Sequence, residues 1–133
     1  MDTPAPSRAA LRTGWTISGL VVAFLLFDAV AKLMRVPDVL ASMDALGLPM
    51  RILLPISLVL LACTVLYAVP RTAVLGAVLL TGYLGGAVLT HLRAGQGPET
   101  YAFAIGMGVL AWAGLALREP RLRALLPLRT PVA

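Results

Sequence analysis

The stretch "ACTVLYAVPRTAVLGAVLLTGYLGGAVLTHLRAG", Ala62–Gly95, holds two apolar runs parted only by "VPRT", Val69–Thr72. Pro70 lacks an amide proton and cannot continue a helix. Thr72 then predicts an N-cap for the second run. That run, Thr72–Leu92, contains no Asp, Glu, Lys or Arg and has the length of about 20 residues that a helix needs to cross a bilayer. Hydrocarbon offers no water to backbone N–H and C=O groups, so both runs are predicted helical. A hairpin of membrane helices is the centre of the fold.

Working outward, the run before "VPRT" spans Ile52–Val69 and comes after Arg51. A first run covers Thr13–Ala31, "TGWTISGLVVAFLLFDAVA", and a fourth covers Thr100–Leu117, diluted by glycine and alanine. The composition agrees. Of 133 residues 59% are hydrophobic and 13% charged, and the mean hydropathy is +0.91, whereas soluble domains carry ~25% charged residues. The expected fold class is all-α: an integral membrane four-helix bundle, spans 13–31, 52–69, 72–92 and 100–117, between a tail 1–12 and a basic tail 118–133. Between the first two spans, "PDVLASMDALG" puts Pro37 at a first helical position and Gly47 at a C-cap. Val39, Leu40, Met43 and Leu46 share one side there, which predicts a short amphipathic helix in the headgroup plane.

The net charge of +5 would suggest a polyanion ligand in a soluble protein. Here the bases sit in short segments between apolar runs, so membrane topology explains them and nucleic acid is not an expected partner. Seven bases fall on the side of the termini (Arg8, Arg12, Arg71, Arg118, Arg121, Arg123, Arg129) and four on the other (Lys32, Arg35, Arg51, Arg93). Positive charge stays inside, so both termini are predicted cytoplasmic. "SRAALR" before a run ending in Ala29–Ala31 also resembles a cleavable signal peptide. Asp28 within the run and Lys32 after it argue against cleavage.

Small residues mark the third span. Ala73, Ala77, Thr81 and Gly85 recur every fourth position, as do Gly82, Gly86 and Thr90. Membrane helices gain by close backbone approach, which such rows permit. They predict a helix-packing face and a central place for this span, with shorter faces at Gly19/Ala23 and Ala102/Gly106. A flat ligand beside Tyr83 is the alternative. Asp28 and Lys32 are four apart and can pair. Thr90, His91 and Arg93 end the third span at similar depth. Ionisable groups in spans usually face inward with a partner. Asp28, Lys32, Tyr83, Thr90, His91 and Arg93 therefore form a candidate polar pocket for a headgroup or proton exchange, against the plainer reading of an interfacial network that sets helix depth. Cys63 reads as a packing residue. Trp15 and Tyr67 read as one aromatic belt and Tyr101 as the other. The basic tail Arg118–Arg129 could attract anionic lipid heads. There is no CxxC, no second histidine for bis-histidine haem and no P-loop, dinucleotide or zinc motif; no metal site is expected.

"FDAVAKL" (Phe27–Leu33), "LGLP" (Leu46–Pro49), the opening stretch and "LREPRLRALLPLR" (Leu117–Arg129) together resemble the DoxX-like family of small bacterial four-helix membrane proteins. After Gly95, where relatives often carry a second histidine and a phenylalanine-proline, "QGPETYAFAIGMG" has neither. The resemblance implies a bacterial inner-membrane bundle. It includes relatives associated with thiosulfate:quinone oxidoreduction and with redox-stress complexes. The leading expectation is an accessory, scaffold or lipid-interacting subunit without a catalytic centre or cofactor, with membrane lipids and a membrane or redox protein as partners and homo-oligomers an option. The alternatives are a quinone-linked oxidoreductase subunit, with Asp28, His91 and Tyr83 near the ring, and a small-solute or proton carrier.

Overall fold

Helix α1 runs Arg8–Leu33 in the computed structural model, which describes residues 4–126. The Ser7 hydroxyl accepts the Ala10 amide at 3.1 Å and so starts the helix about a turn before the apolar run. Helix α2 (Pro37–Ala45) is the short amphipathic segment. Its Met43 is buried, while Asp38, Ser42 and Asp44 face outward. Gly47 comes just after it with φ +66, the left-handed geometry that glycine adopts without a steric cost.

Helices α3 (Leu53–Ala68) and α4 (Ala73–Arg93) flank a 3-10 turn at Pro70–Thr72. Thr72 holds the N-cap position of α4, but its hydroxyl donates to the Leu66 carbonyl at 2.7 Å and cinches the turn instead of capping. Helix α5 runs Pro98–Arg118, and the single turn α6, Pro120–Arg123, tucks Leu122 beneath the core. The part of the basic tail beyond residue 126, with Arg129, lies outside the described residues.

Helix α1 packs along α3 and α5, and α4 packs along the same two. The order around the bundle is α1, α3, α4, α5, an up-down-up-down square. At the proximal end of the square α1 starts and α5 finishes; the distal end is opposite. Each helix buries one narrow stripe. On α1 it is Gly14, Ser18, Val21, Leu25 and Ala29, steps of three and four that keep to one face. The outside stays apolar, with Leu20, Phe27, Leu54, Val78 and Val109 exposed. A surface of that kind is stable in hydrocarbon and a liability in water. Four helices are long and apolar enough to cross a membrane: Arg8–Leu33, Met50–Ala68, Pro70–Arg93 and Pro98–Arg118.

The small-residue rows divide. Ala73 and Ala77 are buried in the core. Gly82, Gly85 and Gly86 are exposed, and a Cβ on any of them would meet nothing within 4 Å. The third span is therefore a corner helix rather than the central one. Four similar rods around one core leave no central place, and a corner helix has one inward face to give. The glycines that bring backbones together are others. A Cβ at Gly76 would overlap the Tyr67 backbone, and one at Gly14 would lie 2.9 Å from the Gly114 carbonyl oxygen. These contacts close α3 on α4 and α1 on α5. Gly19 and Gly106 also face open space.

Hydroxyls within the spans are satisfied locally: Ser57, Thr64, Thr81 and Thr90 each donate to the carbonyl four residues earlier, at 2.6–2.7 Å. The Thr81 oxygen also accepts the Trp112 indole N–H at 2.7 Å, a polar tie between α4 and α5.

Candidate functional site

The distal polar residues do not converge on one pocket. Asp28 and Lys32 pair along α1. Tyr83 packs against the core from α4. His91 turns to the loop beyond α4, where its Nδ1 meets Gln96 Oε1 at 2.7 Å. An amide oxygen only accepts, so Nδ1 carries the proton in this bond. Arg93 donates through Nη2 to the Leu46 carbonyl at 2.9 Å, tying the end of α4 to the segment after α2. Thr90 donates its hydroxyl proton to the Gly86 carbonyl. Asp28 and Lys32 thus pair with each other along one helix, His91 and Thr90 serve local pairings, and Arg93 reaches the segment after α2. The reason is the square: α1 and α4 stand on a diagonal, so equal depth does not bring their side chains together.

The better-built polar site lies at the proximal end. Tyr67 is fully buried within the bundle, where α4 comes closest to α3 at Gly76. Its hydroxyl donates to the Ala111 carbonyl at 2.7 Å. That uses its one proton, so in the 3.1 Å contact with buried Ser18 the serine is the donor. Arg118 Nε donates in turn to Ser18 Oγ at 3.1 Å, and its Nη2 reaches the Tyr67 carbonyl at 3.5 Å. The chain of donors runs one way, from Arg118 through Ser18 and Tyr67 to Ala111, and joins α5, α1 and α3. Such relays polarise one another in a low dielectric.

The guanidinium is also stacked. Its carbon sits 4.4 Å from the Trp15 ring centre and 5.4 Å from that of Tyr67, within the range of cation–π attraction. A cavity of about 170 Å³ opens beside Trp15, Ser18, Tyr67 and Arg118. None of these four stood among the candidate site residues of the sequence. The available signal was depth: Ser18, Tyr67 and Arg118 sit near the same end of three neighbouring spans, and Ser18 interrupts an apolar run.

A second, larger space of about 450 Å³ lies between α4 and α5, lined by Thr81, Leu84, Gly85, Val88, Gly108 and Trp112. It is apolar and open to the outside of the bundle beside the glycine row. Among the described residues no three His, Cys, Asp or Glu side chains come together as metal ligands. Cys63 is a free, buried thiol in α3.

Fold and surface together define a multi-pass membrane protein built as a four-helix bundle. The DoxX-like family model matches residues 16–114, from within the first half of α1 almost to the end of α5, and the chain belongs to that family. No curated protein and no solved structure matches it.

Proposed function

We propose that this protein is an accessory subunit of a membrane complex, without a catalytic centre of its own, and that the open glycine row of α4 receives a transmembrane helix of its partner. The observation that carries the reading is the row itself. Gly82, Gly85 and Gly86 have the spacing for close helix approach, yet a Cβ added at any of them would meet nothing within 4 Å among the described residues. The adjoining apolar groove along α5 widens that face to the breadth of a helix. The distribution of arginines, six of the described residues at the proximal end and the rest distal, supports a bacterial inner-membrane location with both termini cytoplasmic. A photo-crosslinking residue placed at exposed Leu89, within a turn of Gly85 and Gly86 on α4, in native membranes tests the subunit role. An adduct with a membrane protein, or with a second copy, is expected, and Gly82→Leu should abolish it. Adducts with lipid alone at every exposed position of α4 would remove the reading.

A further inference from the structure

Among the described residues no carboxylate pairs with Arg118. The ion pair among the described residues is Asp28–Lys32, at the opposite end of the bundle. The neighbouring Glu119 turns its carboxylate to the Arg121 amide at 3.2 Å and caps α6. Arginine offers five N–H donors in a planar fork. Two of its nitrogens are engaged: Nε with Ser18, and one Nη2 proton with the Tyr67 carbonyl. The two Nη1 protons and the other Nη2 proton have no partner among the described residues. The relay through Ser18 and Tyr67 fixes the guanidinium from one edge, and the Trp15 ring covers a face. The free edge is therefore held in one orientation beside the 170 Å³ cavity, several times the roughly 30 Å³ that a water occupies in the liquid. Its depth is that of the last residue of a membrane-spanning helix, where headgroup phosphates lie. Exposed Arg8 and Arg12 also lie at this end and raise the local concentration of anions.

We infer that Arg118, seated between Trp15 and Tyr67, binds the phosphate of an anionic phospholipid headgroup. The fork geometry suits a phosphate oxyanion in bidentate fashion. The headgroup completes the hydrogen bonding of a cation that the bundle itself leaves half-satisfied.

Native mass spectrometry of the full chain in detergent, with phosphatidylglycerol or phosphatidylcholine added, tests this. The wild type should retain one phosphatidylglycerol about tenfold more tightly than phosphatidylcholine, since choline returns a positive charge to the site. Arg118→Gln should lose that preference, and Arg121→Gln, a change at an exposed position, should keep it. Arg118→Lys keeps the charge without the fork. It should cut the preference about threefold, and it serves in place of the glutamine variant if that one does not fold. Preference retained in both Arg118 variants overturns the site, as does equal loss in Arg121→Gln, which would mark diffuse surface charge. Displacement of the lipid by millimolar inorganic phosphate would make the site one for a soluble phosphate and overturn the lipid assignment.

Discussion

Two sets of glycines in this bundle have the same chemistry and opposite fates. Gly14, Gly76 and Gly114 stand where neighbouring backbones touch, with no room for a methyl group. Gly82, Gly85 and Gly86 form the more regular row, and a methyl group on any of them would meet nothing within 4 Å. The first set holds the bundle closed and positions Tyr67, Ser18 and Arg118. The second leaves one face of α4 narrow and bare. Regular spacing of small residues describes a surface, and only the neighbours decide whether it is an internal joint or an external one.

The largest expected effect breaks the first set. Gly76→Ala places a methyl group against the Tyr67 backbone, and α3 and α4 can relieve it only by moving apart. It should cost about 3 kcal/mol, the upper part of the range for overpacking, read as a lowered midpoint of unfolding in mixed micelles. Tyr67→Phe comes next. It strips the hydroxyl that joins Ser18 to Ala111 and leaves buried partners unmatched, at a cost of about 2 kcal/mol. The same measurement applies, and a change under about half of that would mean that the relay adds little to stability.

A smaller loss sharpens the boundary between the sets. Trp112→Phe removes the indole donor that reaches Thr81 at the edge of the open groove. It should cost about 0.6 kcal/mol, the average found for hydrogen bonds between membrane helices. The one substitution expected to cost no stability belongs to the open row. Gly86→Ala has space for its Cβ and gains helix propensity, so stability should hold or rise by up to about 1 kcal/mol. Crosslinking to a partner should weaken in the same variant. A stability loss comparable to that of Gly76→Ala would show the row to be an internal joint and erase the distinction.

Much of the fold was legible from apolar run lengths and prolines. The spans, the "VPRT" turn and the amphipathic helix around Met43 arise from local rules that need no knowledge of neighbours. The helices nonetheless run past the apolar runs at their ends, because Ser7 and Pro98 start α1 and α5 in polar sequence. The candidate site was less legible. Asp28 and Lys32 are visible as a pair because four residues along a helix fix their distance. Their association with His91 and Arg93 depended on which helices are neighbours, and the square puts α1 and α4 on a diagonal. Tyr67 near the end of a span reads as an interfacial aromatic, yet it lies buried within the bundle, where α4 comes closest to α3 at Gly76.

The order of amino acids alone determined that this chain enters hydrocarbon as four helices, since backbone satisfaction and apolar length are properties of each segment by itself. Tertiary structure alone decided which glycines are joints, and that Arg118, Ser18 and Tyr67 from three helices form one relay. Contacts between segments depend on the relative placement of whole helices, which no spacing along one of them encodes.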